Sequence, residues 1–190
     1  MRIFLTVLLG LLAPVAVVGG GLVAETVSHD NLTDEVVDRV EATYPGWRIT
    51  DSNVRGRPYV VSAAQDRVST AYVDLAVREG SASLLVQELD LATDVAERTA
   101  LFVTVPYPAP ATPVAGPNEI SPRARVGGQV VTFSARLQGE RLRVGASAGP
   151  SPRSVDLPGF AGMRIARTPV ATDQGVVVEL EARRVPLRRA

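Results

Sequence analysis

Two hydrophobic periodicities divide this chain. Ile3 to Ala24 contains no charged side chain and is mostly Leu, Val, Ala, Ile and Gly. As a helix rising about 1.5 Å per residue, such a run reaches about 33 Å, enough to cross a hydrocarbon core of about 30 Å. From Asn31 to Thr43 the pattern becomes amphipathic, with Leu32, Val36, Val37, Val40 and Tyr44 recurring at helical spacing. Asn31 offers a cap, Asp34 an acid in the first turn, and Pro45-Gly46 a stop. Glu25 to Asp30 then reads as a short linker between two helical segments.

From Trp47 onward the period shortens to two, which predicts strands. Ala71, Val73, Leu75 and Val77 share one face opposite Thr70, Tyr72, Asp74 and Arg78, and Gly80-Ser81 turns the chain. Leu85, Leu89 and Leu91 form a second inward set interrupted by Gln87, with Leu84 and Val86 on the opposite face. Leu101, Val103, Val105 and Tyr107 form a third, opposite Phe102 and Thr104. Val131, Phe133, Ala135 and Leu137 form a fourth; Gly139-Glu140 then leads into Leu142, Val144, Ala146 and Ala148 as a hairpin. A last pair runs from about Met163 to Val170 and from Val176 to Leu187 around Thr172 to Gly175. The pattern therefore predicts an α+β fold: a curved antiparallel sheet wrapped around, or packed on, one N-terminal amphipathic helix.

Pro106 to Gly128 interrupts the alternation with Pro106, Pro108, Pro110, Pro113, Pro117 and Pro122. Proline lacks a backbone donor and fixes φ, so this stretch reads as a long loop rather than a strand or helix. A second loop, Gly149 to Gly159, carries Pro150, Pro152 and Pro158. Strands of the same character flank both loops, so neither reads as a domain boundary. The organisation is residues 1–24 as signal peptide or transmembrane anchor, and residues 25–190 as one domain with the Pro-rich loop 106–128.

Charge and composition refine the compartment. Arg2 precedes the apolar run and Glu25 and Asp30 follow it, an order that keeps the N-terminus cytoplasmic and the body outside. The run is longer than the core of a cleaved signal, and Leu22 stands where a small residue would favour cleavage. Retention as an anchor and removal on secretion both remain open. The chain has no cysteine, which excludes disulfides, thiolate metal sites, cysteine nucleophiles and a lipidated cysteine. Formal net charge is zero, and all the basic residues are arginine. Beyond Arg183, Arg184, Arg188 and Arg189 there is no basic concentration with interleaved aromatics, so nucleic acid is not an expected partner.

Catalytic chemistry has few carriers. The single histidine, His29, has no nucleophile or orienting acid near it in the pattern, and no phosphate loop, nucleophile elbow or dinucleotide fingerprint occurs. Asp30, Asp34, Glu35 and Asp38 match a solvated helix face better than a calcium loop. The expectation is a non-enzymatic protein without metal or cofactor. An apolar groove on one sheet face and plain core packing on both faces fit the pattern equally.

Three stretches resemble the LmeA-like phospholipid-binding proteins of the actinobacterial cell envelope. They are Arg55-Gly56-Arg57-Pro58-Tyr59-Val60 with the following Asp66-Arg67-Val68, then Thr104-Val105-Pro106-Tyr107, and Leu157-Pro158-Gly159-Phe160 through Arg184-Val185-Pro186-Leu187. The resemblance spans Asn31 to Leu187 and implies a TULIP-like fold that binds phospholipid acyl chains without catalytic residues. Two features depart from the family pattern: Arg57 stands where an aromatic is common, and Pro108, Pro110 and Pro113 replace a short helical stretch.

The resulting expectation is an exported or membrane-anchored envelope protein that buries a phospholipid or similar acyl chain. It would lie at the extracytoplasmic face of the cell membrane or be secreted to the periplasm or envelope. Size and strand position nominate Trp47, Tyr59, Leu75, Leu84, Val86, Phe102, Phe133 and Phe160 as lining residues. The alternative is an envelope scaffold with a solidly packed sheet, whose Pro-rich loop binds a protein partner.

Overall fold

The computed structural model describes residues 2–56, 58–78, 80–114, 120–148 and 153–188, with side chains of the first helix described from Gly21 onward. Helix α1 (Arg2–Thr43) is followed by β1 (Ile49–Arg55), the short helix α2 (Tyr59–Ala64), β2 (Arg67–Leu75), β3 (Ser81–Asp90) and β4 (Val95–Val105). Then come β5 (Ala111–Pro113), β6 (Arg123–Val126), β7 (Gln129–Gln138), β8 (Arg141–Ala146), β9 (Arg153–Asp156), β10 (Arg164–Ile165), β11 (Val170–Ala171) and β12 (Val176–Pro186). The first sheet runs β1-β2-β3-β4-β12-β10, with β11 also on β12; the second runs β5-β6-β7-β8-β9, and every pairing is antiparallel. The protein is thus α+β with antiparallel sheets and an N-terminal helix.

Leu32, Val36, Val40 and Tyr44 bury the expected α1 face in one core cluster, which includes side chains from both sheets. The expected linker is overturned. Glu25 to Asp30 is helical, and α1 runs without a break through Pro14, Gly19 to Gly21 and Asn31, which is therefore no cap. Two contacts account for the order there. The Glu25 carboxylate accepts the Tyr59 and Val60 backbone N–H groups at 2.8 and 3.1 Å, and His29 meets the Tyr59 ring edge-on at 4.8 Å. Helix α2, absent from the sequence reading, has no capping side chain of its own; Glu25 on α1 supplies its acceptor. Among the described residues no helix is long and apolar enough to cross a membrane. Most of the apolar run falls at positions 2–20, whose side chains lie outside the description.

A second correction concerns β3. Ala82, Leu84 and Val86 point into the core, not Leu85, although Leu89 and Leu91 are inward as expected. The phase slips at Glu88, which adopts φ 49°. Pairing does not slip with it: Thr70↔Gln87 and Val68↔Leu89 keep one register, as do Gln87↔Arg98 and Leu89↔Ala96. Arg184 on β12 repeats the conformation at φ 51°, between Arg183↔Arg98 and Val185↔Ala96. Ser69, Glu88, Glu97 and Arg184 therefore align in a transverse crease. Across it the inward positions step by three in each strand: Val68 to Ala71, Val86 to Leu89, Ala96 to Thr99 and Ala182 to Val185. A one-residue phase change moves a whole side-chain set to the other face, so Leu84 and Val86 belong to the core beneath α1.

The Pro-rich stretch is also more ordered than expected. It contains β5 and β6, paired through Ala111↔Val126, Thr112↔Arg125 and Pro113↔Ala124. Proline is accommodated because β5 is an edge strand, where a missing donor leaves no neighbour unpaired. Residues 115–119 of the expected loop, and 149–152 of the second loop, lie outside the described residues. The second loop nevertheless contains β9, which pairs with β8. The first arm of the expected last hairpin is reduced to the two-residue strands β10 and β11.

Candidate functional site

The C-terminal end of α1, the loop after β9 and the end of β12 converge on a cleft of about 450 Å³. Tyr44, Phe160, Met163, Ala182 and Val185 line it, and the exposed Arg188 stands among the lining residues. This volume lies within the usual range for small-molecule sites. The wall is built from aromatic packing: Tyr44 and Phe160 stack with ring centroids 4.2 Å apart, and Trp47 meets Phe160 edge-on at 5.5 Å.

Local chemistry explains why the loop sits there. Trp47 Nε1 donates to the Pro158 carbonyl at 2.8 Å, Leu157 N donates to the Glu140 carbonyl at 2.7 Å, and Gly159 N donates to Glu140 Oε1 at 2.9 Å. Gly159 has φ +83°, and a Cβ there would meet Tyr44 Cδ1 at 3.1 Å, so the close approach favours glycine twice over. The chain end is fixed by Arg188 N donating to Thr43 Oγ1 at 2.6 Å. Burial pushes the Tyr44 hydroxyl up to about 12, so this side chain is neutral through the physiological range.

On the other side of Trp47 lies a second opening of about 530 Å³, bordered by Val77, Val105, Pro106 and Val155 together with Arg78 and Arg153. It is more polar than the first. A separate void of about 30 Å³ lies between the sheets, beside Tyr107 and Phe133, whose rings are 5.6 Å apart.

The nominated lining residues divide among several environments. Phe160 lines the cleft, and Trp47, packed edge-on against it, lines the second opening. Leu75, Leu84 and Val86 are core residues, and Phe133 is buried where the two sheets meet. Phe102 is half-buried on the outer face of the first sheet, in register with Glu179, and Tyr59 lies on α2 against His29. The remaining cleft residues, Tyr44, Met163, Ala182, Val185 and Arg188, escaped nomination. Their signal was present in part: Leu157-Pro158-Gly159-Phe160 and Arg184-Val185-Pro186-Leu187, the third of the resembling stretches, both border this cleft.

The outer sheet face is ionic. Arg98 Nη2 pairs with Glu179 at 3.3 Å and Glu181 at 3.2 Å, Arg164 reaches Glu181 at 2.6 Å, and Arg167 pairs with Glu179. Among the described residues no three His, Cys, Asp or Glu side chains are grouped to hold a metal ion. His29 Nδ1 lies 3.1 Å from Asp30 Oδ1, beside the Tyr59 ring.

Comparison with protein-family models, with curated proteins and with solved structures yields no match to this chain.

Proposed function

We propose that this chain is an extracytoplasmic lipid-binding protein of the cell envelope, held at the membrane by its apolar N-terminal run. It binds a phospholipid acyl chain in the cleft walled by Tyr44, Phe160 and Met163 and works by binding rather than turnover. The observation that carries this reading is an apolar, aromatic-walled cleft with one arginine among its lining residues. Methylenes gain about 0.8 kcal/mol each on leaving water, and a guanidinium is suited to a phosphate. The resemblance of the cleft-bordering stretches to LmeA-like proteins agrees with this.

Full-length protein purified from membranes tests the reading against Ala161→Trp, which places an indole from an exposed position into the cleft. Native protein should retain more phospholipid per chain by mass spectrometry and bind a fluorescent phospholipid more tightly. Equal lipid content and equal binding in the two proteins would sink the proposal.

A scaffold reading has its own observation. Val114, Ile120 and Val130 are exposed apolar residues in or flanking β5, β6 and β7, and β5 leaves one sheet edge open. Deleting 111–126 should then abolish capture of an envelope protein partner and leave phospholipid content unchanged.

A further inference from the structure

Among the described residues, nine large apolar side chains are exposed, and five of them lie on α1 and α2: Leu22, Val23, Val27, Val60 and Val61. Val60 and Val61 are 42% and 46% exposed. The two helices are joined by a specific clasp. Both Glu25 carboxylate oxygens accept backbone N–H groups of the first α2 turn, and the His29 and Tyr59 rings touch. Glu25 is the first residue after the uncharged run, so α2 is held within about one helical turn, 5.4 Å, of the end of that run. A bilayer is about 40–45 Å thick with a hydrocarbon core of about 30 Å, so each headgroup layer is about 5–8 Å deep. Placing Ile3 to Ala24 in the hydrocarbon therefore puts α2 in the headgroup layer, where apolar side chains on a short helix are stabilised.

We infer that α2 is a membrane-docking element: Val60 and Val61 insert into the lipid surface beside the α1 anchor, and the Glu25 clasp fixes how the domain stands on the bilayer. This rests on the reading of the apolar run as a retained anchor, but not on lipid binding in the cleft. The clasp replaces a flexible tether with a rigid one. Tyr44 lies nineteen residues beyond Glu25, about 28 Å along the helix axis. The cleft at Tyr44 is consequently separated along α1 from the end of the apolar run.

The absence of cysteine allows single-site labelling. Full-length Val60→Cys, Val61→Cys and Val130→Cys, each carrying an environment-sensitive fluorophore, would be reconstituted in vesicles of equimolar phosphatidylcholine and phosphatidylglycerol. Labels at 60 and 61 should shift to the blue and be quenched by spin-labelled lipid several-fold more than the label at 130, an exposed residue of β7. Unlabelled chain should show several-fold slower amide exchange over 59–64 on reconstitution, which guards against a label perturbing α2. Chain that floats with vesicles while 60 and 61 stay as wet as 130, with unchanged exchange, overturns the docking and leaves the anchor standing. Chain that does not float overturns both.

Discussion

Arg39 offers the sharpest test of how α1 is held on its sheet. Its side chain is 1% exposed, and it donates to Asp94 at 3.0 Å, to Glu35 Oε1 at 2.6 Å, and to the Glu35 and Leu91 carbonyls at 3.1 and 3.0 Å. Asp94 lies in the turn between β3 and β4, so this contact ties the helix to the sheet. Removing one partner of a buried ion pair costs about 3–5 kcal/mol, because the remaining charge stays out of water. Asp94 is 33% exposed, which softens that figure. Asp94→Asn preserves shape and tolerates the φ of 56°, so its effect isolates the lost charge. We expect a loss of about 2 kcal/mol, equivalent to about 4–8 °C in thermal midpoint for a chain of this size. Glu35→Gln, whose 39% exposed carboxylate pairs with the same buried guanidinium, should cost a comparable amount, about 1–2 kcal/mol. Adding Arg39→Met to Asp94→Asn should cost less than the sum of the single changes, since no uncompensated guanidinium remains. Melting the full-length chain in mild detergent, followed by fluorescence of the single tryptophan, Trp47, provides the assay. An Asp94→Asn protein within about 0.5 kcal/mol of the parent, or additive double-mutant values, would refute the reasoning.

Other predictions follow from the crease, the core and the cleft. Glu88→Val should destabilise by about 1–2 kcal/mol more than Glu97→Val, measured in parallel melts, because only position 88 of this facing pair has left-handed φ, which β-branched residues resist. Thr99 is fully buried and its hydroxyl has no hydrogen-bond partner among the described residues; the nearly isosteric Thr99→Val should raise stability by about 1 kcal/mol. Tyr44 contributes through pH. Its hydroxyl is raised from 10.0 to about 12, so its stabilising contribution is complete below about 10 and is lost as pH rises toward 12, on the order of 3 kcal/mol in all. Denaturant melts across that window should show a decline that Tyr44→Phe flattens; an identical decline in the variant would refute the assignment.

Much of the secondary structure was legible because burial imposes a period. The amphipathic α1 face, the inward sets of β2, β4 and β7, and the β7–β8 hairpin all follow from alternation against one core. The crease was legible only in hindsight. Each strand crossing it carries two consecutive polar or charged residues: Ser69-Thr70, Gln87-Glu88, Glu97-Arg98 and Arg183-Arg184. A single strand read alone presents such a pair as an interruption, as Gln87 did. Only in-register alignment of four strands reveals a transverse fold line.

The candidate cleft was less legible than the core. Phe160 and Trp47 stand out by size, but Tyr44 reads as the last apolar position of a helix, and Ala182 and Val185 as ordinary strand residues. Their convergence depends on Gly159 bending the loop against Tyr44 and on Arg188 closing onto Thr43, contacts between positions more than a hundred residues apart.

By itself the sequence determined the period of each segment, the apolar run, the amphipathic helix and the absence of thiol chemistry, because these depend on residue type and local spacing. Tertiary structure decided whether Glu25 to Asp30 bends or stays helical, where a six-residue helix forms, and which face of β3 is inside. Each depends on a distant partner: a carboxylate across α1 and α2, or a register shared by four strands. Local propensity carries no information about such partners until the chain has folded.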